Sequence, residues 1–235
     1  MKTHLLQPLD ICKTAKGSLG KRLAMLLSFL LVLAGYAPAW GAVGCDLNDP
    51  DRDVARLFPE STSYKTIYTS ILKKGGQPLL ATVERRLGDK FRGLYETIDV
   101  PYTIYEIYTN KQKVGYIHGV NQKGQFGGIQ VFVVLNIEGT MKGFYIQKMT
   151  SQYAGKLRDA KFGKQFAGLT LKDFDHYDVV TGKASGKVEA IKNPAPEAED
   201  DFRAALRATK KNLILMDEFV YSAPPAPSPQ EALKK

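Results

Sequence analysis

Cysteine and histidine are scarce in this sequence, whose 235 residues include only two cysteines and three histidines. Cys12 lies in an amino-terminal segment with the pattern of an export signal, which leaves Cys45 as the only cysteine of the mature chain. No disulfide can then form within the mature protein. His118 and His176 stand far apart and lack local ligand partners, so the sequence predicts neither a zinc nor a haem site. Neither histidine has the context of a Ser or Cys nucleophile motif, which argues against a hydrolase and indicates no catalytic residue.

A calcium loop is also missing. The segment 46–53 is dense in carboxylates, but it lacks the Asp-x-Asp-x-Asp-Gly spacing and the distal Glu of an EF-hand. These carboxylates are therefore predicted to cap a helix that begins near Val54.

Residues 1–44 have the composition of a bacterial export signal. Five basic residues precede a run of apolar residues over 23–34, and small residues follow it. The run is short for a membrane span of roughly 20 residues, so a retained membrane anchor is the weaker interpretation. Because a basic flank marks the cytoplasmic side, we expect the rest of the chain in the periplasm or at the periplasmic face of the membrane.

Cys45 directly follows Ala42-Val43-Gly44 and admits two interpretations. One is a lipoprotein site whose thiol carries a diacylglycerol anchor. The other is an unmodified cysteine that follows cleavage after Ala39 or Ala42.

The net charge bears on the class of partner. The whole chain has a formal net charge of +9, but without residues 1–44 it keeps 28 basic and 23 acidic residues, a net charge of +5. The excess is spread along the chain, and an exported protein meets no nucleic acid, so nucleic-acid binding is not expected. The remaining positive charge favours an anionic membrane surface or an acidic redox partner.

The hydrophobic periodicity of the mature chain predicts an α+β fold with a twisted, mainly antiparallel sheet flanked by helices in a single domain. Strands are predicted over 102–108, 114–120, 129–137 and 144–146, and helices over 78–87, 157–166 and 197–217. The near-continuous apolar run 129–137 is typical of a strand that is buried on both faces. Lys210 and Lys211 are expected near the end of the last helix, where cations complement the helix dipole.

Three separated segments, 115–144, 162–168 and 178–185, resemble one known family in their order and rough spacing. The first is a glycine-flanked strand pair joined by Glu138-Gly139, and the second, Phe-Gly-Lys-Gln-Phe-Ala-Gly, is similar to a Phe-x-x-Gln-Phe-x-Gly helix end. The third lies where that family has Asp-x-x-Ser-Gly-Ala-Thr-x-Ser. The family is the periplasmic FMN-binding domain, the flavin-bearing domain of the kind found in sodium-pumping NADH:quinone oxidoreductase and related electron-transport complexes.

The resemblance implies FMN as the cofactor, but this chain has Ala184 where covalent members esterify a threonine to the FMN phosphate. Any flavin must therefore be held without that bond. The chain also departs from the family's Glu-Thr-Pro-Gly-Leu-Gly loop, of which the segment 149–155 keeps Thr150 and Gly155.

The candidate residues for cofactor binding are Thr181, Gly182, Lys183, Ser185, Gly127, Gly128, Thr150 and Ser151. The loop 181–187 offers amides, two hydroxyls and two lysines to a phosphate, although it matches neither a Walker loop nor a Gly-x-Gly-x-x-Gly fingerprint. Its alternative role is a surface hairpin. Gly127 and Gly128 either let the flavin ring approach the backbone or mark a β-bulge. The hydroxyls of Thr150 and Ser151 either donate to the flavin or are ordinary loop groups.

Two functions from different classes follow. In the first, the chain is an exported FMN-binding-like protein, at most a flavin electron carrier or oxidoreductase subunit, and it passes electrons to or from a membrane-bound or periplasmic redox protein. In the second, it is a cofactor-free FMN-binding-like scaffold that serves as a binding or assembly module. The predicted boundaries are 1–44 for the export signal, 45–100 for an N-terminal helical region, 101–221 for the FMN-binding-like domain and 222–235 for a disordered Pro-rich tail.

Overall fold

Five antiparallel strands pair in their sequence order and form the sheet at the centre of the structure, a computed structural model that describes residues 44–222. The strands are β1 Ser63–Thr69, β2 Tyr102–Thr109, β3 Gln112–Lys123, β4 Gly128–Asn136 and β5 Met141–Met149. The helices are α1 Pro50–Leu57, α2 Ile71–Lys74, α3 Gly76–Leu87, α4 Ala154–Leu157, α5 Ala160–Lys164, α6 Leu171–Phe174 and α7 Glu199–Met216. The predicted α+β class with an antiparallel sheet and flanking helices is confirmed.

Two of the hairpin turns follow from their sequences. Asn110 and Lys111 both have positive φ, 49° and 70°, as the tight turn between β2 and β3 requires. Gly139 has φ of 82° and reverses the chain between β4 and β5, as predicted.

Strand β4 is buried on both faces, as its apolar run predicts. Val131 and Val133 belong to a large core on the side of α7, whereas Phe132 and Val134 belong to a smaller core on the other side. The smaller core includes Val54 of α1, the helix that Asp49 caps by accepting the amide hydrogen of Arg52. The carboxylates before Val54 thus have the predicted capping role at Asp49.

Helix α7 packs on β3 and β4 and confirms the long helix predicted over 197–217. The expected role of Lys210 and Lys211 is wrong, because the last turn of α7 carries no basic residue and both side chains are buried earlier in the helix. Lys210 Nζ donates to the carbonyl oxygen of Tyr177, and Lys211 Nζ donates to Glu96. Tertiary partners, rather than the helix dipole, hold these cations.

The helix predicted over 157–166 is also wrong, since two short helices occupy this stretch. Asp159 separates them, because its side chain accepts the amide hydrogen of Lys161 and so begins α5 as a new helix. Strand β1 was missed by the sequence analysis. It is an edge strand whose side chains are exposed or half-buried except at Thr69, so its sequence lacks a clear apolar alternation. The region 45–100 is therefore not wholly helical.

Strand β5 is the other edge of the sheet, and neighbouring elements cover it. A Cβ at Gly163 of α5 would lie 2.5 Å from the carbonyl oxygen of Phe144, so only glycine lets the helix approach this closely. Arg158 Nε donates to the carbonyl oxygen of Ile146 at 3.2 Å. The edge is therefore protected from pairing with another chain.

Within residues 44–222, no helix has both the length and the apolar character needed to cross a membrane. The predicted export signal before Gly44 and the predicted tail after Ser222 lie outside the described residues.

Candidate functional site

Four of the predicted candidates lie on one tight loop between α6 and α7: Thr181, Gly182, Lys183 and Ser185. Asp178 organises this loop. Its Oδ1 accepts the amide hydrogens of Val180 at 2.8 Å and Thr181 at 3.1 Å, and its carbonyl oxygen accepts that of Gly182 at 2.8 Å. The amide of Thr181, followed by its hydroxyl, holds the pKa of Asp178 below its usual range.

Two further amides of the loop, those of Lys183 and Ser185, are also used internally. Lys183 donates its amide hydrogen to Thr181 Oγ1 at 3.3 Å, and Ser185 donates to the carbonyl oxygen of His176 at 3.2 Å. Four amides of the loop 181–187 are therefore not available to a phosphate without breaking these hydrogen bonds.

The loop lines a depression of about 420 Å³, which lies within the size range of small-molecule sites. Gly182, Lys183 and Ala184 form one side. The other side is mostly apolar and is formed by Val188, Glu189, Ile191, Phe202 and Leu206. The residue that replaces the attachment threonine thus lies beside apolar side chains, where a ring system can be accommodated.

Arg203 contacts this loop from outside the lining of the depression, and the sequence analysis missed it. Its Nη2 donates to the carbonyl oxygen of Val180 at 2.6 Å, and a Cβ at Gly182 would lie 2.5 Å from its Nε. Gly182 also has φ of +76°, so both its backbone conformation and its neighbour require glycine. In the described part of the chain, Arg203 has no carboxylate within 4.0 Å, which leaves its charge available to an anion.

The second lysine of the loop is already paired. Lys187 Nζ lies 3.2 Å from Asp173 Oδ1, a carboxylate of α6. Lys183 makes no such pair among residues 44–222 and is the cation of the loop that faces the depression.

The other four candidates meet at one end of β4 and β5. Gly127 has φ of +152°, and a Cβ there would lie 2.9 Å from Thr150 Cβ. The amide hydrogen of Thr150 is donated to the carbonyl oxygen of Gly128 at 3.3 Å, while Ser151 Oγ accepts that of Tyr153. These contacts belong to the start of a strand and the start of a helix. The alternative roles of the four residues, a bulge and ordinary loop hydroxyls, therefore account for them without a ligand.

No hydrogen bond in the described structure joins this group to the loop that carries Lys183. Both groups attach to the start of α7, because Asp201 Oδ1 accepts the amide hydrogen of Gln125 at 2.7 Å and Arg203 holds Val180. The first turn of α7 carries three carboxylates, which oppose an anion there.

Cys45 lies in the smaller core and is only 1% exposed. A Cβ at Gly119 would lie 2.8 Å from its Sγ, and burial raises the pKa of the thiol above its usual value. A diacylglycerol chain on this sulfur would have to displace the core around Phe132. The burial favours the unmodified cysteine over the lipidated one.

A buried charged network under α7 also escaped the sequence analysis. Glu96 accepts hydrogen bonds from Lys211 Nζ at 2.8 Å and from Arg207, and Lys211 also donates to the carbonyl oxygen of Asn121. Burial opposes the charge of Glu96, but Lys211 and Arg207 outweigh it and hold its pKa below the usual value. Arg207 and Lys211 lie 111 and 115 positions from Glu96, so local patterns gave no signal.

His118 and Asn212 form a second buried polar pair. His118 Nδ1 lies 2.6 Å from Asn212 Oδ1, and Asn212 Nδ2 donates to the carbonyl oxygens of His118 and Val131. Because Oδ1 is the acceptor, Nδ1 carries the ring hydrogen, and Nε2 has no hydrogen-bond partner among residues 44–222. Burial lowers the pKa of His118 to about 4, so the ring is neutral at pH 7.

Residues 44–222 contain no group of three or more His, Cys, Asp and Glu side chains that could hold a metal ion.

No protein-family model matches the sequence, and no curated protein matches it. Among solved structures, the chain is similar to a component of the Na(+)-translocating NADH-quinone reductase from Parabacteroides distasonis, with 13% sequence identity and a TM-score of 0.33. The match covers 70% of this chain and 85% of the other.

Proposed function

We propose that this protein is exported, holds FMN without a covalent bond, and takes part in electron transfer at the periplasmic face of the membrane. The observation that carries the proposal is the depression of about 420 Å³. The segment that resembles the family's flavin-attachment segment lines it, together with the apolar side chains of Val188, Ile191, Phe202 and Leu206.

The residues present meet two of the three needs of a flavin. The apolar wall suits the ring, and Lys183 with Arg203 suits the phosphate. The third need, free amide donors, is met only in part, because Asp178, Thr181 and His176 already accept from four amides of the loop. A bound flavin would supply the redox chemistry, while these side chains bind and orient it.

The alternative function is a cofactor-free scaffold that serves binding or assembly. The hydrogen bonds to Asp178 favour it, because they hold this part of the loop without a ligand. Flavin binding has to be measured to separate the two functions.

The test is a titration of FMN into the purified protein, followed by quenching of flavin fluorescence at low salt. We expect Lys183→Glu to weaken binding about tenfold or more, because it replaces an attractive charge with a repulsive one beside a dianionic phosphate. Lys192→Glu is the matched control, since Lys192 is exposed and does not line the depression.

The outcomes separate the functions. Selective weakening by Lys183→Glu supports the flavin site, and equal affinities for both variants remove the loop from it. If the unaltered protein does not bind FMN at all, the scaffold becomes the better proposal. Any flavin that is bound should be released on a denaturing gel, since Ala184 offers no hydroxyl for an ester.

A further variant tests how complete the attachment segment is. Ala184→Thr restores the hydroxyl, but Lys183 and Gly186 still differ from the family's small residue and second hydroxyl. We expect little covalent flavin when this variant is made in cells that carry the family's flavin-transferring enzyme. Fluorescence of the protein band on a denaturing gel measures it, and strong labelling would contradict the expectation.

Export is proposed from residues 1–44 alone. Mass spectrometry of the protein from its native cells should find a new amino terminus between Trp40 and Cys45. Met1 retained in the membrane fraction would show an anchor instead, and an acylated Cys45 would show a lipoprotein.

A further inference from the structure

We propose that a basic groove along β5 is a docking site for an extended acidic segment of a protein partner. The groove has a volume of about 730 Å³ and lies between α1, β5 and the α4–α5 region. Its cations are Arg52, Arg56, Lys142, Arg158 and Lys164. None of the residues proposed to bind FMN lines this groove, so the docking proposal is independent of the proposed FMN site.

The groove concentrates positive charge. Its lining has five cations and two carboxylates, Asp49 and Asp53, a net charge of +3. Outside the lining, Glu60 pairs with Lys142 at 3.0 Å, and both side chains of this pair are exposed. The mature chain as a whole has a net charge of +5 if residues 1–44 are removed. Much of the excess charge is therefore gathered in one concave surface, which attracts acidic partners and raises their rate of association.

Several of these cations are free to bind. Among residues 44–222, Arg52, Arg158 and Lys164 have no carboxylate within 4.0 Å. Arg56 pairs with Asp53 at 2.9 Å, but about half of its side chain is exposed, and such pairs contribute little. A partner's carboxylates can therefore bind without first breaking a strong ion pair.

Two aromatic rings hold cations in place along the groove. The guanidinium of Arg56 lies 4.9 Å from the centre of the Tyr145 ring, and the ammonium of Lys142 lies 4.4 Å from that of Phe58. Side chains that are ordered before binding lose less conformational entropy when a partner docks.

The groove follows β5, which favours a peptide segment over a single compact anion. Residues 142–147 of β5 form its floor, and six strand residues extend over roughly 17–20 Å. Lys142 lies at one end, and Arg158 is held at the other end by the carbonyl oxygen of Ile146. Charges distributed in this way match carboxylates spaced along an extended chain. A membrane surface is a poorer fit, because the cations line a concave surface between helices.

The test is the binding of a fluorescein-labelled peptide of alternating Glu and Ser to the full-length protein, measured by fluorescence anisotropy at low salt. The groove variant combines Arg52→Glu with Lys164→Glu, and both side chains are exposed and outside the core. The control variant combines Arg85→Glu with Lys161→Glu, which changes the net charge equally at exposed positions outside the groove. Lys161 lies on α5, the same helix as Lys164.

We expect the groove variant to weaken peptide binding at least tenfold and the control variant to weaken it less than about threefold. Equal weakening by both variants would overturn the proposal, since it would mean attraction by net charge alone. Absence of peptide binding would also overturn it, and so would groove-dependent binding to phosphatidylglycerol vesicles without peptide binding. FMN affinity should be the same in the groove variant as in the unaltered protein.

Discussion

Acidification should destabilise this fold through His118 in particular. The buried ring has a pKa of about 4, against about 6.5 in the unfolded chain, because burial penalises the imidazolium and Nε2 has no acceptor in the described structure. A lowered pKa means that the unfolded chain binds the proton more tightly. The contribution of the neutral ring is therefore complete above about pH 6.5 and is lost as the pH falls towards 4.

The magnitude follows from the difference in pKa. A difference of about 2.5 units corresponds to about 3.4 kcal/mol, of which about 2.5 kcal/mol is lost between about pH 7.5 and pH 4.5. His118→Gln removes the titration while it keeps an amide that can donate to Asn212 Oδ1. Asn212 itself stays bonded to the backbone of β3 and β4.

Urea denaturation followed by far-ultraviolet circular dichroism measures the free energy of unfolding at each pH. Far-ultraviolet detection is suitable because the only tryptophan, Trp40, falls within the predicted export signal. Carboxylates titrate in both proteins, so the difference between them isolates His118. If the unaltered protein and His118→Gln lose stability equally as the pH falls, the assignment of a buried neutral ring is wrong.

Three further predictions concern other buried positions. Glu96→Ala should destabilise the fold by about 3–5 kcal/mol in urea denaturation, because it leaves Lys211 charged and unpaired in the core. Gly119→Ala should lower the free energy of unfolding by about 1–3 kcal/mol, because the new methyl group overpacks the core. Gly155→Ala is the matched control: its methyl group would meet no atom within 4 Å, so the free energy of unfolding should stay unchanged or rise by about 0.5–1 kcal/mol. Cys45 should react with iodoacetamide only on unfolding, as mass spectrometry of native and denatured samples can show, because its thiol is buried.

The controls for these predictions use the same assays. Lys156→Ala removes an exposed ion pair with Glu197 and should change stability by no more than about 1 kcal/mol. A loss as small as this in Glu96→Ala would show that the buried network contributes little. Rapid alkylation of the folded protein would contradict the burial of Cys45.

The elements that the sequence predicted are those whose pattern is local. The apolar run of β4, the turn at Gly139 and the long α7 each carry their signal within a few residues. Edge strand β1 has no such signal, because few of its side chains are buried. The boundary between α4 and α5 depends on one capping side chain, Asp159. The spacing of apolar residues carries no signal for such a cap.

The candidate site was predictable only in part for a related reason. The sequence indicated the loop with Lys183, but it did not indicate that Asp178 accepts from the loop's amides or that Arg203 lies beside Gly182. These contacts depend on how α7 packs against the loop, and a linear pattern carries no such information. The basic groove escaped notice for the same reason, since its cations come from three separate elements.

The polar contacts between α7 and the sheet have a consequence for how the fold opens. Asn212 donates to backbone oxygens of β3 and β4 together, and Lys211 donates to a third oxygen in β3. Sliding the helix by one turn, about 5.4 Å, would break all three hydrogen bonds. We therefore expect the helix to open together with the sheet, so that amide hydrogen exchange in α7 proceeds at the rate of exchange in β3, through one shared opening. Faster exchange in α7 would show that the helix opens alone.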